Sequence, residues 1–346
     1  MRFLKWTAII LAILVTGLWF GASYFVKKGA EAFVADLAAK GMVAGTPGIS
    51  VGGFPARMDL ALSAVKFVDP KTGAGWEGAE LHIFAPSWKP WQITAELPPS
   101  QTLTLPGMTG NQTVGVTSQG LTASVRVSPD TRLALQEVTA GGAALQATSS
   151  LGWVVGVGDL RAQLLVAAAD PKAYALTLNA TEIAPDPSLA AALAAVSLPD
   201  LPVSDLPAKL ESAHLAMMLH MSTPLELMAT GTNPHLTGLD LQDLTAQWGP
   251  LKFAASGALA ADASGHAEGR IEIEITHWDR LPALLVATGA VKPEIAPTIG
   301  NALKALAAEG GDPAVLRVPL VMEAGRMSLG PLPLGEAPMM TGATGS

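Results

Sequence analysis

The stretch Trp6–Val26, WTAIILAILVTGLWFGASYFV, constrains this chain more than any other. Its 21 residues carry no charge and no proline, and they lie between Arg2 and Lys5 on one side and Lys27 and Lys28 on the other. As a helix rising about 1.5 Å per residue, the stretch would cover about 30 Å, the thickness of a bilayer's hydrocarbon core. No second stretch is long and apolar enough to do the same. The body is therefore expected on one side of a membrane, tethered at its N-terminus. Trp6 at one end, and Trp19 and Tyr24 at the other, fit the aromatic belts of the two bilayer interfaces. Arg2, Lys5 and the amino terminus slightly outweigh Lys27 and Lys28, which directs the N-terminus to the cytoplasm. In a bacterium with two membranes this gives a single-pass inner-membrane protein with a periplasmic body. The competing reading is a signal peptide cleaved at Gly21-Ala22-Ser23 to release a periplasmic product. The apolar core exceeds the roughly 7–15 residues of such peptides, and Trp19, Phe20, Tyr24 and Phe25 crowd its end, so the uncleaved anchor is preferred.

Low charge continues beyond the anchor. Hydrophobic residues make up 49% of the 346 and charged residues 14%, so the body must bury much apolar surface or line a cavity with it. The 35 glycines and 26 prolines suit many turns between short strands. A net charge of −8, with acid spread along the chain, argues against nucleic acid as a partner. Without cysteine there is no disulfide framework, thiolate chemistry or cysteine metal site.

Residues 29–41 follow as an amphipathic stalk. Ala30, Phe33, Val34, Leu37 and Ala38 share one helical face, the helix continues the anchor, and Gly41 ends it. The period then changes to two. Met58, Leu60 and Leu62 alternate with polar neighbours, as do Leu81 and Ile83, Ile93 to Leu97, Leu121 to Val127, Leu176 and Leu178, and Ile271, Ile273 and Ile275. Each is read as a strand with one apolar and one wet face, and Gly or Pro clusters at roughly ten-residue spacing imply an antiparallel meander. Three short helices interrupt. Ser188 is the expected cap of the first, Asp279 that of the second, and the third covers residues 293–309 with Gly310-Gly311 as its stop. The fold class is mainly β: an N-terminal transmembrane helix and a large twisted antiparallel sheet, forming an open groove or a sandwich, with a few short helices. The proline-rich Ser197–Pro207 is the best internal boundary. It separates a first β-rich half, 42–200, from a second, 201–335, that carries two helices; residues 336–346 are expected as a disordered tail and 1–28 as anchor with a short cytoplasmic end. A repeat crosses that boundary. Leu133–Ser150 and Leu239–Ser256 share L-x-L-Q-[ED]-[VL]-T-A and read as one hairpin used twice.

No stretch names a reaction. Gly48-Ile49-Ser50-Val51-Gly52 matches G-x-S-x-G, but a nucleophile elbow needs a strand before and a helix after the serine. Pro47 and Phe54-Pro55 deny that context, so this is read as a turn opening the sheet. The histidines form no metal-binding spacing, and His214 and His220 are read as a solvated strand face. Glu272 and Glu274 share a face without an obvious cation. No phosphate, dinucleotide or calcium loop is present, so no catalytic residue, metal or cofactor is expected. Trp76, Trp88 and Trp91 form a candidate aromatic rim, with plugs at the end of a β-core as the alternative.

Several stretches together resemble a known family. These are Gly53-Phe54-Pro55-Ala56-Arg57-Met58-Asp59-Leu60, Gly75-Trp76-Glu77, Ala85-Pro86-Ser87-Trp88-Lys89-Pro90, Leu97-Pro98-Pro99-Ser100-Gln101-Thr102-Leu103 and the run Gly325–Gly335. The chain resembles the DUF2125 family of alphaproteobacterial envelope proteins over nearly its whole length, with Trp88 where a tyrosine is associated with the family. That resemblance carries no activity and no catalytic residues. The strand–turn–strand–helix unit from Leu251 to Gly289 is more loosely similar to AsmA-like envelope proteins. Those proteins pair an inner-membrane anchor with a long β-groove implicated in phospholipid movement.

The function expected on these grounds is non-catalytic: binding or transfer of a phospholipid or other apolar envelope ligand beside the membrane. Leu60, Leu62, Leu81, Ile83, Val125, Val127, Ile271, Ile273 and Ile275 would form the ligand face, with closed core as the alternative for each. The runner-up is a structural or adaptor protein that has a closed β core and holds another envelope protein.

Overall fold

The alternation of apolar and polar side chains is realised as sheet throughout the body. The computed structural model describes residues 2–42, 47–106, 111–196, 206–227 and 234–340, with the side chains of residues 2–15, 18, 194 and 309 excepted. Among the described residues, sixteen strands form one antiparallel sheet that follows chain order. They are β1 (Gly48–Gly52), β2 (Arg57–Val68), β3 (Gly75–Pro86), β4 (Gln92–Glu96), β5 (Ser100–Leu105), β6 (Gln112–Val127), β7 (Leu135–Ser149), β8 (Val154–Ala167), β9 (Asp170–Ile183), β10 (Leu210–Met221), β11 (Leu236–Trp248), β12 (Leu251–Ala261), β13 (Ala267–Thr276), β14 (Val315–Glu323), β15 (Arg326–Leu329) and β16 (Leu332–Glu336). The mainly β, meander-type fold read from the sequence is the fold of the protein. Only β5 leaves the path. β4 and β5 pair with different stretches of the same two strands, β3 and β6. They are two pieces of one strand position, broken where Pro98 and Pro99 cannot donate to a ladder.

The chain divides into two compact units. The first holds residues 1–129 and 140–152, the second 130–139 and 153–346. Of the boundary expected at Ser197–Pro207, residues 197–205 lie outside the described residues.

In the first unit, helix α1 runs unbroken from Arg2 to Ala39, which joins the expected anchor and stalk. Gly41, at φ +71°, closes it: Gly41 N–H donates to Ala38 O at 2.9 Å and Met42 N–H to Leu37 O at 2.8 Å. This pair of bonds satisfies carbonyls that the helix end leaves open, and it needs a residue that tolerates the left-handed region. The helix packs along β1, with Trp19, Ala22, Val26, Ala30, Val34 and Leu37 on its more buried side; Phe33, assigned to that face from spacing, is exposed. Among the described residues no helix is long and apolar enough to cross a membrane. Most of the expected span Trp6–Val26, including the side chain of Trp6, lies outside the described side chains.

The second unit carries helices α2 (Pro187–Ala195), α3 (Leu281–Ala287) and α4 (Ala296–Glu309). Two caps differ from expectation. Asp186, not Ser188, caps α2: its carboxylate accepts from Ser188 N–H at 2.7 Å and Pro187 takes the first helical position, where a missing N–H costs nothing. Asp279 caps nothing. A 3-10 turn (Trp278–Arg280) leads straight into α3, and Asp279 pairs with Arg280 at 2.9 Å instead. The repeat is also not one hairpin used twice. Leu239–Ser256 does form a hairpin, β11 to β12, because Gly249 at φ +58° precedes Pro250. The first copy lacks that pair and runs on as the single strand β7. The expected tail is tied down as far as Met340: Ala267 N–H donates to Pro338 O and Met340 N–H to Gly265 O, both at 2.8 Å.

Candidate functional site

Two family-resembling stretches meet where α1 joins the body. Gly53 to Ala56 turn the chain from β1 into β2. A Cβ on Gly53, at φ +94°, would fall 2.7 Å from Arg57 O, so only glycine fits. The turn closes with Arg57 N–H on Gly53 O at 3.0 Å. The loop after β3 locks onto it, with Ser87 N–H donating to Ala56 O and Ser87 Oγ to Pro55 O, both at 3.0 Å. The Arg57 guanidinium lies 5.0 Å from the Phe84 ring centre, and its Nε is 2.9 Å from Asp59 Oδ2.

Trp19 of α1 completes this cluster. Its Nε1–H donates to Arg57 O at 3.2 Å, and its ring meets Phe20 and Phe54 edge-on, each at 5.2 Å. Trp19 is 8% exposed, whereas Phe54 and Trp88 at the two loop tips are 47% and 65% exposed. Of the other anchor residues, Tyr24, Lys27 and Lys28 are exposed. Lys28 pairs with Glu31 at 2.8 Å. The hydrogen bond between them raises the Lys28 pKa and lowers that of Glu31.

The three tryptophans do not form one rim. Trp88 and Trp91 sit in the loop after β3. Trp76 lies at the other end of that strand, roughly 30 Å away at about 3.3 Å per residue. There it stacks on Phe67 and donates from Nε1 to the buried Gln101 at 2.5 Å. A Cβ on Gly78 would meet the Trp76 ring at 2.8 Å and Pro98 at 2.9 Å. The Gly-Trp-Glu and Leu-Pro-Pro-Ser-Gln stretches are thus one packed plug, the structural alternative raised for Trp76. Gln101 is legible only in hindsight, as a polar residue on a strand facing a tryptophan that needs an acceptor.

The candidate ligand face divides between the units. In the first unit, Leu60 pairs with Ile83 and Leu62 with Leu81, Ile83 with Ala95, Ala95 with Ala123, and Ile93 with Val125. Directly opposed residues share a face, so Leu60, Leu62, Leu81, Ile83, Val125 and Val127 line one surface with Ile93. Leu62 and Val127 are buried, at 6% and 5% exposure, and the other four are half-buried. Ile93, which the sequence reading placed on a strand but not in the site, is 41% exposed. The reverse face is polar, with Thr94 and Ser124 hydroxyls 2.6 Å apart and His82 3.0 Å from Glu80.

In the second unit, Ile271, Ile273 and Ile275 oppose Leu320, Val318 and Leu316. Ile271 packs with Leu259, Met322 and Ala337, and Ile275 with Trp278, Leu316 and Ala307 of α4. These two are half-buried positions packed against the buried core of the unit. Behind them Glu272 and Glu274 each have a cation, contrary to the sequence reading: Arg270, two residues before Glu272 on β13, and Arg317 at 2.9 Å from Glu274, supplied across the ladder by β14. The partner of Glu274 was hidden by 43 residues of separation.

The remaining polar candidates are dispersed. Ser50 lies on strand β1, opposite Ala61, rather than in a turn. His214 is 2.7 Å from Asn179 Oδ1 and His220 2.9 Å from Asp240. No group of three His, Asp or Glu side chains among the described residues could hold a metal ion. A cleft of about 740 Å³ at β14 to β16 is lined by His266, Glu323, Arg326 and Glu336 among others.

A family model described as an uncharacterized protein conserved in bacteria, DUF2125, matches residues 19–338. No curated protein and no solved structure matches.

Proposed function

Because the chain belongs to the DUF2125 family, whose members are bacterial, we propose that it is an inner-membrane-anchored periplasmic protein that binds lipid acyl chains on the apolar face of its first unit. Trp6–Val26 is the anchor in this reading. One observation carries the proposal: the face made by Leu60, Ile83, Ile93 and Val125 keeps solvent access at Ile93, with a polar face behind it. Binding on such a face needs no catalysis. Each CH₂ group that leaves water contributes about 0.8 kcal/mol, so a single acyl chain supplies ample driving force. The earlier ligand set narrows accordingly to Leu60, Leu62, Leu81, Ile83, Val125 and Val127, joined by Ile93.

The test is native mass spectrometry of the full chain extracted in mild detergent, beside Ile93→Asp. Phospholipid adducts on the wild type that fall away in the variant support the reading. Absence of lipid from the wild type, with a stoichiometric envelope protein crosslinked in its place, would favour the adaptor function instead. The covered core around Ile271 and Ile275 lends that second reading its support.

A further inference from the structure

We propose that the Phe54-Pro55 turn and the Trp88-Lys89 loop enter the membrane–water interface together, beside α1, as a foot on which the first unit stands. The inference rests on the anchored reading of Trp6–Val26. Trp19 lies within that segment, seven residues before Val26, or about 10 Å along a helix. The turn is fastened to Trp19 by the indole bond to Arg57 O and by the edge contact with Phe54. With Trp19 in the interfacial belt of the anchor, the turn it holds lies at that same level, where interfacial aromatic side chains sit.

The side chains found there suit that depth. Phe20, Phe54 and Trp88 are 59%, 47% and 65% exposed. They belong to three separate segments held together by the Trp19 and Ser87 contacts. Three exposed large aromatics in one place are a liability in water and an asset at a bilayer surface. Charge agrees with an anionic headgroup layer. Lys27 and Lys89 are exposed, and exposed cations near the surface are attracted to anionic lipid, while Lys28 and Arg57 are paired with Glu31 and Asp59. The foot also has a consequence for lipid binding: it sets the loop-proximal ends of β2, β3 and β4 against the headgroups, where an acyl chain could pass onto the face containing Ile83 and Ile93.

The cysteine-free chain allows a direct test. Single cysteines at Phe54→Cys, Trp88→Cys, Leu14→Cys and Lys71→Cys are labelled with a fluorophore. The full-length proteins are reconstituted into phosphatidylcholine–phosphatidylglycerol vesicles that contain nitroxide-labelled acyl chains. Lys71 is exposed in the turn between β2 and β3, at the other end of β2 from the foot. Labels at 54 and 88 are expected to be quenched several-fold more than the label at 71. If 54 and 88 behave like 71 while 14 is quenched, the foot is wrong and the anchor stands. If 14 is not quenched, the anchored reading falls and takes the foot with it. Protection of 54 and 88 from aqueous iodide without quenching by lipid would assign the surface to a protein contact and overturn the proposal.

Discussion

The same alternation of apolar and polar residues is finished differently in the two units. In the first, Trp19, Leu62, Val65, Pro98, Val114 and Val127 are the buried aliphatic and aromatic side chains among the described residues. Its helix α1 packs along β1, and Ile93 on the apolar face stays open. In the second unit, α4 lays Leu303, Leu306 and Ala307 against Ile275, Leu316 and Val318. The returning segment at Ala337 and Met340 covers Leu259, Ile271 and Met322. Leu316 is 2% exposed, whereas Leu60 is half-buried. An alternating strand therefore specifies which face is apolar but not whether anything lies on it. A bare apolar face is a place for a ligand, and a covered one is a core.

The sharpest way to test this contrast is to remove the large side chains on each side. Trp278→Ala takes away a ring whose Nε1–H is held by Pro313 O at 3.0 Å; it should cost about 3–5 kcal/mol by urea unfolding. Leu316→Ala should cost about 2–5 kcal/mol. Leu60→Ala, on the bare face, loses only part of its burial and should cost about 1 kcal/mol. Equal losses for Leu316→Ala and Leu60→Ala would show that the first unit's face is covered after all.

The plug at the far end of β3 makes an intermediate case. Gly78→Ala forces a methyl group onto Trp76 and Pro98 and should cost about 1–3 kcal/mol, read as a lowered unfolding midpoint with blue-shifted or broadened tryptophan emission. Ile93→Asp is expected to change stability by less than about 1 kcal/mol, since a charge on an open face keeps its water. If this variant unfolds the first unit, the face is closed.

The smallest effect concerns Asp186. The hydrogen bonds from Ser188 and Val154 hold its carboxyl below its ordinary pKa. Its contribution to stability is thus complete above the unfolded value of about 3.9 and is lost as pH falls through the lower folded value. Asp186→Asn should flatten the acid limb of the unfolding midpoint and leave the neutral region nearly unchanged. An unaltered acid limb would mean that the cap is not formed in solution.

Much of this molecule is legible in its sequence, and the misses share a cause. Alternation from Met58 to Val127 and from Ile271 to Ile275 located strands and their apolar faces, because side chains on a strand point alternately whatever the partner strand is. Gly41 ended α1 as expected, because the left-handed position after a helix is a local demand. The first copy of the repeat was misread because its eight-residue likeness to Leu239–Ala246 stops short of the Gly249-Pro250 pair that bends the second. Ser188 is a good cap type, which makes it the expected cap of α2. Asp186 takes the position since it also reaches Val154 N–H at 2.5 Å, 32 residues away in sequence.

By itself, the sequence determined the mainly β class, the meander order, the apolar faces and an uncharged N-terminal stretch long enough for a bilayer, since each depends on period or length along the chain. Only the tertiary structure decided that Trp76 is a plug, that Trp19 is docked in the Phe54 turn, that Arg317 neutralises Glu274 and that α4 covers one apolar face while Ile93 remains open on another. Those outcomes depend on which distant segments come to lie against each other, and burial is a property of that contact rather than of any residue's neighbours in sequence.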